Sequence, residues 1–453
     1  MAPSKKKTDR LDDYLVLNTF FNKLFGMESF DNFQKLLKNV EDGFDDEGRS
    51  YVFNTLHSQT GIDPQLKSKL EEYDSNIKGY IDRINSKKDT HIRLKYFQYL
   101  AVLLTEIYLD RYFEDPIKLM NELTPDSEER QSLKEKNDKF NPIFIPGDLK
   151  KLAFWMATGS GKTFLVHINY LQFMHYNKGP HEIELDNILL ITPSESLSNQ
   201  HLNEMQQSSI PCELFQSNNL GYWSGHAGQN VVKVIDIHKL TDEKKGQGVT
   251  MDIESFGRKN LIFVDEGHKG SGGKKWTYFR EELAKEGFAL EYSATFGQAV
   301  AAAGGKDALA ALLSKYGKSI IFDYSYRYFY NDGYGKEYSI LNLKDAKYSD
   351  HVKHIVMLAN LLTLYEQKIV FDEHANEIES YNIEDPLWIF VGSKVQGKQN
   401  QSDILEVVKF FDLALKNEEN WTVGSIEKIL TGNSGLKDKN TGRDLFLPTY
   451  PEQ

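Results

Sequence analysis

The sequence predicts an α/β fold in which helices flank a parallel sheet, and two observations carry this prediction. After Gly147, short runs rich in β-branched and aromatic residues alternate with longer stretches of helical periodicity, as in successive βαβ units. A glycine-rich segment, residues 157–163, lies between the first of these runs and the next helical stretch. A phosphate-binding loop occupies this position between a strand and a helix.

Composition is that of an ordinary folded protein. The chain has 453 residues, 40% hydrophobic and 26% charged, which is enough for two to four domains with buried cores. Its net charge of −12 means that nucleic-acid binding would need a local basic track. Cys212 is the single cysteine, which excludes a disulfide framework and favours a buried thiol. We find no signal peptide and no apolar run of membrane-spanning length, so we expect a cytoplasmic protein without a membrane partner.

The individual elements follow from periodicity and from proline and glycine. Helices are predicted at Leu94–Tyr112, Phe164–Met174, Asp350–Phe371 and Ile404–Leu415, and a polar connection at residues 115–139. Residues 319–330 alternate aromatic and other side chains, which predicts a half-buried antiparallel strand, with a base-stacking platform as the alternative. The glycine-rich residues 433–443 predict a loop. The remaining predicted strands are Leu152–Met156, Ile188–Thr192, Val231–Ile237, Leu261–Val264, Ala289–Ser293 and Leu387–Val391.

The glycine-rich segment matches a P-loop, although Met156 stands where the general pattern has its first glycine. Its glycines let backbone N–H groups turn towards phosphate oxygens, Lys162 places a cation at the β- and γ-phosphates, and the Thr163 hydroxyl can bind Mg²⁺. An ordinary turn is the alternative. The predicted ATP-binding residues here are Thr158, Gly159, Ser160, Gly161, Lys162 and Thr163.

A second motif places two carboxylates at the end of an apolar strand. Asp265 and Glu266 follow Leu261–Val264 about a hundred residues after the P-loop. Asp265 can hold Mg²⁺ through water, and Glu266 can orient and deprotonate the attacking water. Taken alone, the pair could also be a solvated strand end. Together with Lys162, it predicts a site that hydrolyses Mg²⁺·ATP.

Asp265-Glu266-Gly267-His268 is a DExH-type box, and Ser293-Ala294-Thr295 follows it at a spacing typical of helicases. With the P-loop, these motifs make the chain resemble superfamily 2 DEAD/DEAH-box (DExH) helicases, above all the helicase subunits of type III restriction enzymes and related bacterial defence helicases. The resemblance implies a RecA-like fold for the parallel sheet. It also implies that His268, Ser293 and Thr295 couple the nucleotide site to strand movement, whereas a polar turn is the alternative.

Three fainter segments resemble further motifs of the same family. Pro193-Ser194-x-x-Leu197-x-x-Gln200 resembles the strand-contacting segment, which makes Pro193, Ser194 and Gln200 candidate nucleic-acid contacts. Ser194 is also a natural helix N-cap. Leu94–Gln98 resembles the adenine-recognition segment, with Gln98 as the base contact or, alternatively, an ordinary helix-surface residue. His238 and Lys239 lie where the family has another strand contact.

These motifs suggest four parts of the chain. We expect a helical N-terminal module at residues 1–90, a first RecA-like ATP-binding lobe at 91–335, a helix and linker at 336–385, and the start of a second RecA-like lobe at 386–453. The resemblance implies an arginine finger on the second lobe. The last arginine, Arg443, does not match that motif. We therefore expect a fragment, or a chain completed by another one, that is weakly active alone.

The favoured function is an ATP-dependent helicase or translocase of restriction or antiphage type, with ATP and Mg²⁺ as cofactors. Its expected partners are nucleic acid, with DNA preferred, and a nuclease or methyltransferase subunit. The alternative is an ATP-binding regulatory module with little turnover. A small-molecule kinase is disfavoured, because it would not need the second and third helicase motifs.

Overall fold

The computed structural model describes residues 9–215, 230–241, 251–266, 274–335, 349–379, 383–391, 403–437, 442 and 444. The chain divides into two compact units, residues 1–336 and 337–453. Each unit is described by itself below. Within the described residues, no helix is long and apolar enough to cross a membrane.

A seven-stranded sheet forms the centre of the first unit, and every neighbouring pair of strands in it is parallel. The strands are β1 Lys151–Met156, β2 Asn187–Thr192, β3 Cys212–Leu214, β4 Val232–Asp236, β5 Leu240–Thr241, β6 Met251–Asp252, β7 Asn260–Asp265, β8 Phe288–Ser293 and β9 Ile320–Tyr324. Their order in the sheet is β3-β4-β2-β7-β8-β1-β9, while β5 and β6 pair separately. Apart from a partly exposed residue at one end of β1, β2 and β7, the central strands are buried, as expected for a parallel sheet covered on both faces.

Helices surround this sheet and also precede it in the chain. The α-helices of the first unit are α1 Val16–Leu24, α2 Phe30–Leu37, α3 Tyr51–His57, α4 Pro64–Asn85, α5 Tyr96–Glu114, α6 Pro116–Leu123, α7 Ser127–Lys136, α8 Lys162–Tyr176, α9 Glu195–Gln207, α10 Lys274–Leu283, α11 Phe296–Ala301, α12 Lys306–Gly317 and α13 Tyr326–Asn331. Short 3-10 helices occur at Leu11–Tyr14, Asp148–Lys150, Gly179–His181, Ile237–Lys239 and Ile253–Phe256.

The N-terminal helices share their core with the sheet. The ring of Phe30 packs edge-on against those of Phe322 and Tyr328, with centroids 5.4 and 4.7 Å apart. The Asn18 amide donates to the backbone oxygen of Ile321, in β9, over 2.9 Å. The helical residues before α5 thus cover the β9 side of the sheet.

A buried carboxyl group joins three of these helices. Glu106, in the middle of α5, is fully buried and accepts hydrogen bonds from Asn76 and Tyr80 of α4 and from Gln172 and Tyr176 of α8. Burial raises the pKa of Glu106 to about 7, and these four hydrogen bonds limit the rise. The network stabilises the packing of the helix that follows the P-loop.

The second unit is helical in its described part, 349–379, 383–391 and 403–437. Its α-helices are α14 Asp350–Glu373, α15 Ala375–Ile378, α16 Asp403–Lys416 and α17 Trp421–Leu430, with a 3-10 helix at Glu418–Asn420. A small core of Ile355, Leu358, Phe410, Ile429 and Leu436 holds them together. An isolated antiparallel bridge pairs Lys437 with Asp444.

The α/β prediction is confirmed, and so are the five strands predicted before residue 300. The helices predicted at Leu94–Tyr112, Phe164–Met174, Asp350–Phe371 and Ile404–Leu415 also form, each with slightly different ends. Cys212 is only partly buried, and its thiol lies 3.6 Å from the Leu202 oxygen. The predicted loop at 433–443 lies partly outside the described residues.

The prediction of an antiparallel strand at 319–330 is wrong. Ile320–Tyr324 is a fully buried strand, but it pairs parallel to β1, and the chain then turns into α13. The preceding helix α12 returns the chain across one face of the sheet, so the next strand enters in the parallel direction. The alternating aromatic residues beyond Ser325 therefore belong to a helix, in which Tyr328 is buried and Tyr326 and Tyr330 are exposed.

Two further predictions are wrong. Residues 116–123 and 127–136 are helices, because Asp115 and Asp126 cap them by accepting hydrogen bonds from backbone N–H groups of their first turns. Leu387–Val391 is not a strand: it has no strand partner among the described residues, and Leu387 and Val391 are 78% and 94% exposed. A run of apolar residues forms a buried strand only where a neighbouring strand pairs with it.

Candidate nucleotide site

The P-loop connects β1 to α8 through two glycines that are needed for its backbone shape. Gly159 and Gly161 have φ angles of 84° and 87°, in the left-handed region that costs other residues free energy. Gly161 is the N-cap of α8, so the unpaired N–H groups of the first helical turn border the loop. A helix N-terminus in this setting attracts anionic phosphate groups.

Gln98 packs directly on this loop. Its Nε2 donates to the Ser160 backbone oxygen over 2.9 Å, and its Oε1 accepts from the Lys95 backbone N–H over 2.9 Å. A Cβ atom at Gly161 would lie only 2.3 Å from Gln98 Nε2. The first turn of α5 and the P-loop are therefore fitted together, which places Gln98 beside the predicted nucleotide. That it contacts adenine stays a prediction.

Lys162 begins α8 and is partly buried. Its Nζ lies 3.3 Å from the Ala157 oxygen and 3.5 Å from the Met156 oxygen. Burial lowers the pKa of Lys162, and the charges of Glu266 and Asp265 oppose that change. The ammonium group therefore lies within the electrostatic field of the acid pair. Thr163 follows it in the first turn of α8, half-buried, and Thr158 at the tip of the loop is exposed.

The acid pair lies at the carboxyl end of β7. Asp265 Oδ1 accepts from the Glu266 backbone N–H over 2.9 Å, and Oδ2 is 3.0 Å from His201 Nε2. Burial would raise the pKa of Asp265, but the hydrogen bond and charge of His201, with Lys162, lower it below the ordinary value. Glu266 has a φ of 54°, which turns the chain sharply at the strand end. Asp265 is thus kept as an oriented anion.

The topology brings the predicted motifs to one edge of the sheet. In the order β7-β8-β1, the acid pair follows β7, Ser293 ends β8, and the P-loop follows β1. Parallel strands present their carboxyl ends at the same edge, where α/β proteins bind ligands. Sequence reasoning identified all three segments without this topology.

The Ser293-Ala294-Thr295 segment is held from two sides. Ser293 Oγ accepts from the Thr295 backbone N–H over 3.0 Å, and the Ala294 oxygen accepts from Trp155 Nε1 over 3.1 Å. Thr295 Oγ1 is buried and has no hydrogen-bond partner within the described part of the chain. His268, the third predicted coupling residue, lies outside the described residues.

The predicted strand-contacting residues lie around the start of α9. Pro193 and Ser194 are partly exposed, and Ser194 Oγ caps the helix by accepting from the Leu197 backbone N–H over 3.4 Å. Gln200 is exposed and donates to Glu204 over 2.8 Å. Lys239 reaches to within 3.6 Å of Glu195. The two segments predicted to contact a strand are therefore neighbours.

Two residues of the site were missed from the sequence. Trp155 supports the segment after β8, and His201 contacts Asp265 from α9. His201 directly follows Gln200, so its position at the end of a recognised motif was the available signal. Trp155 comes one residue before the P-loop pattern, within the predicted strand, and nothing in the sequence distinguishes it from an ordinary strand residue.

The residues present fit ATP and Mg²⁺. Among the residues described, no group of three or more His, Cys, Asp or Glu side chains could hold a metal ion by itself. Mg²⁺ at nucleotide sites takes one or two protein oxygens and completes its shell with phosphate and water. Thr163 and Asp265 could supply those oxygens, and the glycine loop with Lys162 could hold the phosphates.

Comparison with known proteins gives a family match over part of the chain. Residues 120–298 match the family model described as type III restriction enzyme, res subunit. No curated protein matches the chain.

Two solved structures resemble it with 12% sequence identity each. The Pyrococcus furiosus Hef helicase domain has a TM-score of 0.28 over 61% of this chain and 52% of that one. The Sulfolobus solfataricus SWI2/SNF2 ATPase core in complex with dsDNA has a TM-score of 0.26 over 59% and 60%. The chain thus spans between half and two thirds of each. The P-loop, the acid pair and the Ser293-Ala294-Thr295 segment all lie within residues 120–298, so this part of the chain is similar to the res subunits of type III restriction enzymes and has the motifs of a DExH-box helicase domain.

Proposed function

We propose that this chain is an ATP-dependent helicase or translocase that acts on DNA in a restriction or antiphage system. The observation that carries the proposal is the shared site at the carboxyl edge of the sheet. There the partly buried Lys162 ammonium is subject to the charges of Glu266 and Asp265, next to the N-terminus of α8. This arrangement suits the phosphates of a nucleotide and the cleavage of its terminal phosphoanhydride bond.

Each residue has a distinct role in the proposed reaction. The P-loop N–H groups and Lys162 bind the phosphates, while Thr163 and Asp265 hold Mg²⁺, which neutralises charge on them. Glu266 orients a water molecule in line with the bond to be broken and accepts its proton. Gln98 contacts the adenine ring from the first turn of α5.

The proposed nucleic-acid contact lies at the start of α9. Ser194 and the exposed N–H groups of that helix would meet backbone phosphate, as would Lys239 beside it. Ser293 and Thr295 would transmit the state of the nucleotide to the bound strand. We place this activity in the cytoplasm, together with a nuclease or methyltransferase subunit.

The test is DNA binding measured with and without a non-hydrolysable Mg²⁺·ATP analogue. A helicase domain should bind single-stranded or duplex DNA with an affinity that depends on the analogue, since the two ligands are energetically linked. Lys239→Ala should weaken binding to all DNA sequences alike. It should also reduce the slope of log affinity against log salt concentration by about one. Lys78→Ala is the matched control, because Lys78 is a similarly exposed lysine paired with Asp82 on α4.

The outcomes separate the two candidate functions. A chain that binds the analogue but no DNA would be the alternative, an ATP-binding regulatory module. Fast hydrolysis that ignores DNA would contradict the helicase proposal.

A further inference from the structure

His201 makes a contact that its place in the helix does not require. It lies in the middle of α9, its side chain is only 4% exposed, and its Nε2 is 3.0 Å from Asp265 Oδ2. A carboxylate only accepts hydrogen bonds, so the shared proton belongs to Nε2. The imidazole therefore donates directly to the residue that we place at the Mg²⁺ ion.

The other ring nitrogen makes this buried imidazole costly in free energy. Nδ1 is buried, and the described residues offer it no hydrogen-bond partner. An unpaired buried polar atom costs about 1–3 kcal/mol. A leucine of similar volume would avoid that cost while filling the same space. The contact with Asp265 is the evident benefit that offsets it.

The neighbouring histidine shows what a purely structural role looks like here. His167, on α8, is fully buried, and its Nδ1 shares a hydrogen bond with Ser208 Oγ over 2.9 Å. Like His201, it has a second ring nitrogen, Nε2, without a hydrogen-bond partner among the described residues, so the two histidines differ only in what the first nitrogen contacts. Burial, with the charges of His201 and Lys88, lowers the pKa of His167 to about 3. His167 is thus a neutral core residue without an acidic partner, whereas His201 is directed at a carboxylate.

With His201 in place, both oxygens of Asp265 are fixed. Oδ2 faces His201, and Oδ1 accepts from the Glu266 backbone N–H over 2.9 Å. The carboxylate cannot rotate without breaking one of these bonds. We propose that His201 is a positioning residue, which fixes the Asp265 carboxylate from helix α9 and so strengthens its hold on Mg²⁺. This inference rests on the proposed Mg²⁺·ATP site.

The experiment measures how much Mg²⁺ the chain needs to bind a fluorescent ATP analogue. In His201→Leu, the Mg²⁺ concentration at half-maximal binding should rise about tenfold or more, because outer-shell partners of metal ligands typically contribute 10–100-fold in affinity. His201→Gln keeps an N–H donor at a similar distance and should restore much of the loss.

The matched control removes a different buried hydrogen bond from the same helix. Ser198 Oγ lies 2.7 Å from Thr192 Oγ1 and does not contact Asp265. Ser198→Ala should therefore perturb α9 and leave the Mg²⁺ requirement unchanged. If His201→Leu fails to fold, His201→Asn replaces it: its amide ends near the position of Nδ1, short of Asp265, and the same rise is expected.

The results distinguish this inference from the function on which it rests. An unchanged Mg²⁺ requirement in His201→Leu or in its substitute His201→Asn, or an equal rise in Ser198→Ala, would overturn the positioning role while leaving the nucleotide site intact. Failure of the unmutated chain to bind the analogue in Mg²⁺ would instead overturn the proposed function, and this inference with it.

Discussion

Replacing Gly161 by alanine tests the packing of the P-loop most sharply. Gly161 has a φ of 87°, and a Cβ there would lie 2.3 Å from Gln98 Nε2. Such a contact forces Gln98 to move away from the loop. We expect the first unit to lose stability and the nucleotide site to lose its fit at the same time.

The magnitude follows from the bonds that would break. A left-handed conformation costs an L-residue roughly 1–2 kcal/mol. The displaced Gln98 would also lose its hydrogen bonds to Ser160 and Lys95, each contributing about 1 kcal/mol. Gly161→Ala should therefore destabilise the first unit by roughly 3–4 kcal/mol.

Gly333→Ala separates the two contributions. Gly333 has a φ of 86°, close to that of Gly161, but nothing lies within 4 Å of its added Cβ, so this variant carries the backbone cost alone. Thermal and denaturant unfolding give the stabilities, and fluorescence titration gives the affinity for an ATP analogue. If Gly161→Ala were no less stable than Gly333→Ala and bound the analogue normally, the fitted contact between Gln98 and the loop would be refuted.

Two further predictions concern α5. Gln98→Ala should reduce the preference for ATP over GTP analogues, measured by competition binding, with the affinity for inorganic triphosphate as the control; an unchanged preference would remove Gln98 from the base contact. The pKa of Glu106 is raised from 4.5 to about 7 in the folded state. Its contribution to the free energy of unfolding is therefore full below about pH 4.5 and is lost as the pH rises through about 7. The expected change is roughly 3 kcal/mol. Plotted against pH over this range, the unfolding free energies of the wild type and Glu106→Gln should converge or cross. Parallel curves would contradict the raised pKa of Glu106.

Local patterns allowed much of this fold and site to be predicted. The P-loop is recognisable because its strand, glycines, lysine and helix are adjacent in sequence, and Asp265 and Glu266 follow their strand directly. Each of these signals lies within a few residues, so no knowledge of the sheet order is needed. The segments that follow β1 and β7 are then expected at the same edge of the sheet, because parallel strands have their carboxyl ends there.

The errors arose where the outcome depends on distant partners. The alternation of aromatic and other residues after residue 319 does not reveal which strand will pair with β9. In the structure that strand is β1, and the pairing is parallel. The apolar run at 387–391 is strand-like in composition, yet it has no neighbouring strand within the described residues. His201 and Asp265 are 64 residues apart in the chain, so only the fold brings them together. The helices at 116–136 are different, because their capping aspartates were visible in the sequence.

The central claim is that Lys162 and Glu266 belong to one site that binds and hydrolyses Mg²⁺·ATP. The most direct measurement compares equilibrium binding of a fluorescent ATP analogue and single-turnover ATP hydrolysis in Lys162→Ala and Glu266→Gln. Lys162→Ala should lose binding by tenfold to a hundredfold or more, since a charged hydrogen bond contributes about 1.5–3 kcal/mol and each 1.4 kcal/mol is about tenfold. Glu266→Gln should bind normally and fail to hydrolyse. Unchanged binding in Lys162→Ala, or equal loss of binding in both variants, would contradict the account.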